Sequence, residues 1–276
     1  MKPIWFDTSI TSYNNAPDLS AFGLHSATLM TAWGFCRKLG GQYDYSHVDI
    51  ETVKRVANDP VYWIGKESNM LVLDLEIFDL HTTDLPLRDH YHDQLIEAAK
   101  IYRNAHPGIA IGYYGLLPQI TFYPPLYGSD PAWDHYKPDH DKWIANNKQV
   151  LGNLDDATLR KTHKGLCSVV DRVFPSCYHA DKKALPMPEN MRHWKAMHDG
   201  TVKESLQYQK PIIAYLTPQY EGRGELFPVG VWKEMLTHSL ANKNVDGVCV
   251  YQSVVAGTEF DASAPWWTET LEVIGK

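Results

Sequence analysis

Four cysteines in 276 residues, Cys36, Cys167, Cys177 and Cys249, are too few and too scattered for a C-x-x-C metal knuckle or a thioredoxin-type motif. They read as buried thiols acting as small hydrophobes, with Cys177 and Cys249 in or beside apolar runs. No run of eighteen apolar residues occurs, so no membrane-spanning helix is expected. The first strand-like segment is not followed by G-x-G-x-x-G, and no G-x-x-x-x-G-K-[ST] or G-x-S-x-G appears anywhere. These absences count against dinucleotide binding, a phosphate loop and an α/β-hydrolase serine enzyme. A basic excess is also missing: 26 Lys and Arg against 33 Asp and Glu leave a net charge of -7, which argues against a nucleic-acid partner. Residues Met1 to Asp7 contain no apolar h-region, so a secreted or periplasmic location is expected only if a leader has been removed. Neither a 20-to-50-residue repeat nor a cofactor motif is evident, and no cofactor is expected.

What the chain has is a core-sized apolar fraction, 44%, and many large aromatics, including 9 Trp and 16 Tyr. That content suffices for one large domain, taken as residues 1–276. Many of the aromatics fall at or after the ends of strand-like runs. Sugar rings have apolar C–H faces and polar edges, so such a set fits a carbohydrate groove, and it equally fits ordinary packing.

The sharpest feature is Met70-Leu71-Val72-Leu73-Asp74-Leu75-Glu76, an apolar run ending in two carboxylates at i and i+2. On a strand such residues face the same side, so Asp74 and Glu76 are expected to emerge together. Two adjacent carboxyls cannot both ionise freely, and one is thereby kept as a proton donor beside an anion.

Around this run, strand-like and helix-like segments alternate. Strands are expected at Pro3–Phe6, Ala27–Trp33, Met70–Glu76, Ile109–Tyr114, Val169–Tyr178, Pro211–Leu216 and Gly247–Tyr251. Helices are expected at Asp49–Ala57, His92–Asn104, Asp141–Val150, Asp155–Thr162, Glu189–Gln207, Gly230–Ala241 and Trp267–Ile274. The Pro- and aromatic-rich stretch from Leu116 to Asp139 is read as a loop over the mouth. Such alternation defines an α/β protein, a (β/α) TIM-like barrel, irregular and with seven or eight strands, in which strand C-termini face the catalytic mouth.

In that order, Asp74-Leu75-Glu76, Gly112-Tyr113-Tyr114-Gly115, Phe174-Pro175-Ser176-Cys177-Tyr178, Lys210 to Tyr215 and Gly247 to Tyr251 resemble the hyaluronidase family of barrel glycoside hydrolases. The likeness runs from about residue 3 to residue 255 as short islands. It implies an irregular (β/α) barrel that cuts N-acetylhexosaminide bonds. It also implies that Glu76 is the proton donor and Asp74 the partner that raises its pKa and orients the substrate's acetamido group. That group, not a protein nucleophile, would attack the anomeric carbon. Tyr114 and Tyr178 match tyrosines that hydrogen-bond near the acetamido group, and Tyr215 matches one lining the cleft. Tyr251, Gln252 and Asp7 complete the expected substrate-binding set. The chain departs from the family where Ile77 and Phe78 follow the glutamate and where Tyr251-Gln252 stands in place of a strand-end tryptophan. Its substrate is therefore expected to be hyaluronan or another N-acetylated or uronic-acid-containing glycan.

Competing readings attach to the same residues. A D-x-E can cap a helix or pair with arginine, the tyrosines can be strand-end packing, and Asp7 before Thr8-Ser9 is equally a turn or cap. His90, His92 and Asp93, and Asp134, His135, Asp139, His140 and Asp141, form two His/Asp clusters without metal-ligand spacing on a helix, so no metal is assigned. A metal-dependent amidohydrolase or deacetylase and a non-catalytic glycan-binding barrel are the alternatives to a glycosidase.

Overall fold

The computed structural model describes residues 1–59, 68–75, 78, 80, 84–119, 165–178, 187–220, 225–255 and 257–276. In chain order the elements are β1 (Ile4–Asp7), β2 (His25–Met30), a small hairpin of β3 (Lys38–Leu39) and β4 (Gln42–Tyr43), α1 (Ile50–Asn58), β5 (Met70–Asp74), α2 (Leu85–Ala105) and β6 (Ala110–Tyr114). They continue with α3 (Met187–Ser205), β7 (Ile213–Leu216), α4 (Val231–Ala241), β8 (Gly247–Val250) and α5 (Pro265–Val273). Among the described residues no helix is long and apolar enough to cross a membrane. The expected helices at 141–150 and 155–162 and most of the expected loop at 116–139 lie outside the described residues.

Six strands form one sheet in the order β6-β5-β2-β1-β8-β7, and every pairing is parallel. Strands β1, β7 and β8 are buried throughout, as strands covered on both faces must be. Period-two alternation sorts their side chains. Ile4, Phe6, Leu71, Leu73, Tyr113, Ala214, Leu216, Val248 and Val250 join the large cluster shared with the helices. Trp5, Ala27, Met70, Val72, Tyr114, Ile213, Tyr215 and Cys249 form a second, separate cluster on the inner face. The architecture is an α/β, TIM-like one.

The expected strand at Val169–Tyr178 is not a regular strand. It begins as a single 3-10 turn, Leu166–Val169, and then touches both sheet edges through isolated bridges, Tyr114 with Phe174 on one side and Val173 with Ile212 and Ser176 with Tyr215 on the other. Backbone hydrogen bonds from Gly115 N to Phe174 O (3.0 Å), Ile213 N to Val173 O (3.0 Å) and Tyr215 N to Pro175 O (3.0 Å) hold it there. Pro175 has no N–H to give, and a ladder cannot run evenly through it. Arg103 of α2 anchors the segment's start with a forked contact to Asp171 (2.9 and 3.3 Å) and a bond to Val169 O (2.9 Å). The Asp171 carboxylate in turn accepts from Ile111 N at 3.0 Å.

Helix ends follow local chemistry. Asp49 caps α1 through Glu51 N (3.2 Å), and Asp84 caps α2 through Leu87 N (3.1 Å), with Pro86 in the first turn. Helix α2 thus starts seven residues before the expected His92, because the cap and the proline carry the signal and not the apolar rhythm. Gly230 lacks a capping side chain, and α4 is capped from outside: buried Glu269 of α5 accepts from Gly230 N (2.6 Å) and Lys233 N (2.8 Å). This borrowed cap and the Trp232 Nε1 to Thr270 Oγ1 bond (2.9 Å) tie the last two helices together.

The close approach of the 173–176 segment depends on Gly112. A Cβ there would lie 2.5 Å from the Phe174 ring and 2.3 Å from Arg172 O. Gly112→Ala is expected to cost about 1–3 kcal/mol of stability in urea denaturation by forcing the segment off β6. An unchanged denaturation midpoint would show that the contact is not needed.

Candidate active site

At the C-terminal ends of the strands, the inner face presents two acids and four tyrosines. Asp74 is the last residue of β5, on the same side as Met70 and Val72 and paired in register with Tyr114 of β6. It is partly exposed, whereas the strand behind it is fully buried. Asp7 ends β1 on the same side as Trp5 and is completely buried. Tyr215 of β7 donates its hydroxyl to Asp7 Oδ2, and Ser9 donates to Oδ1 through its hydroxyl and through its backbone N–H at 2.9 Å. Asp7 also caps the 3-10 turn Thr8–Ser12, so the cap and the site residue are one group.

The rings pack on one another. Tyr114 lies 4.8 Å from Tyr215 and 5.6 Å from Tyr178 between centroids, and Tyr178 stacks on Tyr251 at 6.1 Å and 22°. Tyr114 donates its hydroxyl to Ser176 Oγ at 3.0 Å. Gln252 joins the group through its backbone, whose N–H bonds to Ser9 Oγ at 3.0 Å, while its buried Oε1 has no partner among the described residues. Asp74, Tyr114, Tyr178, Tyr215, Tyr251 and Asp7, chosen from residues as far as 244 positions apart, therefore meet at one end of the sheet. Glu76 lies outside the described residues, as do Asp134, His135, Asp139, His140 and Asp141. A hollow of about 330 Å³ borders Asp7, Thr8, Leu19, His25 and Asn69, behind the connection that follows β1 and not among the tyrosines.

Burial dominates the electrostatics. Loss of water pushes the Asp7 carboxyl up from 3.8 to about 6; the hydrogen bonds from Ser9 and Tyr215 oppose the rise, and the charge of Asp74 adds to it. Burial likewise raises Tyr215 and Tyr178 well above the ordinary phenol value, so both remain hydroxyl donors. Tyr251 is raised by burial too, with the charges of Asp7 and Asp74 contributing. The arrangement therefore offers one carboxyl that takes up a proton near neutrality, a second acid within its field, and a wall of neutral phenols. Such a set of acids and hydroxyls is suited to hydrogen bonding and acid–base chemistry.

Asp7 is ambiguous in the sequence, because Asp-Thr-Ser also reads as a turn or cap. The signal that would have raised it is its position as the last residue of an apolar strand, the same signal carried by Asp74. His90, His92 and Asp93 all lie on α2, but His92 is turned into the core while His90 and Asp93 are exposed, and they do not form a convergent group. The His/Asp group that does converge among the described residues is His198, Asp199 and His238, which are separated in the chain by up to 40 positions.

No family model matches the chain, and no curated protein matches it. Among solved structures it is similar in fold to bee venom hyaluronidase, with a TM-score of 0.59 and 13% identity, covering 92% of this chain and 91% of that one. A second bee venom hyaluronidase structure, in complex with a hyaluronic acid tetramer, matches with a TM-score of 0.53 and 13% identity over 99% of this chain and 94% of that one. At that identity the likeness establishes the TIM-like architecture.

Because Asp7 titrates near 3.8 when unfolded and about 6 when folded, the native state binds the extra proton between those values. Stability is fully present below the lower value and falls as pH rises through about 6, by roughly 3 kcal/mol at most. Asp7→Asn is expected to remove this part of the slope when urea unfolding is compared at about pH 4 and about pH 7. Parallel wild-type and variant curves would mean that Asp7 is ionised inside the fold.

Proposed function

We propose that residues 1–276 form one (β/α)-barrel catalytic domain, a retaining glycoside hydrolase that acts on an N-acetylhexosamine-containing glycan. In this reading the segment at 173–176 closes the ring as its seventh strand. The observation that carries the proposal is the convergence of Asp74, buried Asp7 and the four tyrosines at the C-terminal rim of the strands. In a parallel barrel this rim is where catalytic groups are placed.

Glu76 is assigned as the general acid that protonates the glycosidic oxygen and then as the base that activates water. The assignment rests on the resemblance of Asp74-Leu75-Glu76 to the carboxylate pair of the hyaluronidase family. Asp74 orients the acetamido group and steadies the charge that develops as its carbonyl oxygen bonds to the anomeric carbon. The leaving oxygen departs with the proton from Glu76, and water later reopens the cyclic intermediate with the configuration retained. Tyr114, Tyr178, Tyr215 and Tyr251 supply ring faces and hydroxyls that hold the sugar, while Asp7 fixes Tyr215.

Digestion of a panel of N-acetylated glycans, read by mass spectrometry, is expected to yield shortened chains with the acetyl groups retained. Glu76→Gln should lower turnover about 100- to 10,000-fold and Asp74→Asn about 100-fold, with glycan binding and circular dichroism preserved. Turnover should follow a bell-shaped pH profile, as expected where one group must hold a proton and another must have lost it. Binding without cleavage of any glycan would identify a sugar-binding barrel instead, and loss of acetyl mass without chain shortening a deacetylase.

A further inference from the structure

Outside the rim, the outer helices carry a second convergence of reactive side chains. Helix α3 supplies His198 and Asp199, and α4 supplies His238. One carboxylate oxygen, Asp199 Oδ1, lies 3.0 Å from His198 Nδ1, 2.9 Å from His238 Nε2 and 3.1 Å from Asn242 Nδ2. A donor atom from each of the three acidic or imidazole groups falls within 4.8 Å of the others.

We propose that His198, Asp199 and His238 bind a divalent zinc ion that clamps α3 to α4. Zinc bonds of about 2.0–2.1 Å in tetrahedral array place ligand atoms roughly 3.3 Å apart, close to the two oxygen-to-nitrogen distances found here. Two imidazoles and one carboxylate are a donor set zinc accepts, and a water completes the fourth position.

The surroundings are already built to hold the ligands. Trp194, fixed by its Nε1 bond to Cys177 O (2.9 Å), packs against the His198 ring at 5.2 Å and the His238 ring at 5.7 Å. The two imidazoles meet edge to face at 5.1 Å. Asn242 keeps its bond to the carboxylate when the ion binds, the outer-shell support that orients metal ligands. Asp199 is 45% and His238 25% exposed, which leaves an entry path.

The position assigns the role. Helix α4 ends at Ala241 and leads into β8, and Lys2, just ahead of β1, donates to Asn242 O at 2.5 Å. The cluster therefore lies in the outer helical layer, joining α3 to the last turn of α4, and not on the inner face where the tyrosines gather.

The test uses the full chain stripped of metal by a chelator and titrated with zinc chloride, reading stoichiometry by calorimetry and melting by circular dichroism. One zinc per chain is expected, with the melting temperature raised by about 5 °C at a hundredfold excess over the dissociation constant. His238→Gln and Asp199→Asn should each weaken binding about tenfold or more, whereas His90→Gln on α2 should bind as wild type does. Absence of one-to-one binding, absence of a melting shift, or His238→Gln binding zinc like wild type would overturn the proposal and leave the cluster a hydrogen-bonded clamp. Glycan cleavage is not the readout, so this proposal and the glycosidase proposal stand or fall separately.

Discussion

The curled sheet depends on one close contact, the docking of residues 173–176 between β6 and β7. Without it, both sheet edges would present unpaired backbone groups, and the inner aromatic cluster would lose the wall formed by Phe174. Gly112 makes the approach sterically open, and Arg103 with Asp171 fixes where the segment begins. Everything gathered at the strand C-termini, including Tyr114 on one side and Tyr215 on the other, takes its relative position from that docking.

The same curvature sets the chemistry. A sheet buried on both faces has no place for an ionised side chain except where its inner face opens, and the two inner-face aspartates stand there. Asp7 lies deeper and gives up its charge near pH 6 because desolvation outweighs the hydrogen bonds that favour the anion. Asp74 is nearer solvent and adds a like charge to the field at Asp7. The phenols around them stay protonated for the same reason, so the site contains several donors and few competing charges.

In the outer layer, helices are joined by polar groups borrowed from their neighbours. Glu269 of α5 caps α4, and Asp199 of α3 gathers two imidazoles and an amide. In both cases a carboxylate from one helix satisfies donors of another. The outer layer is thereby stitched together around the curled sheet, with Trp232 and Trp194 packed beside these links.

The alternation of apolar runs with amphipathic ones was enough to read the α/β class, most strand positions and the inward pairing of Asp74 with its strand, because burial on both faces and period-two geometry are local properties of a strand. Helix starts were less legible where Asp84 and Pro86, not apolar spacing, begin α2. The segment at 173–176 reads in sequence as a strand that ends near Pro175, and only its neighbours on both sides show that it meets the sheet through isolated bridges. In sequence Asp7 reads equally as a rim residue and as a turn or cap, and only the fold lays it against Tyr215, 208 positions away; the His198–Asp199–His238 group has no spacing motif at all. Sequence by itself determined which residues can line a strand or helix face. Tertiary structure alone decided which of those faces meet, because desolvation and convergence of side chains are properties of contacts between segments distant in the chain.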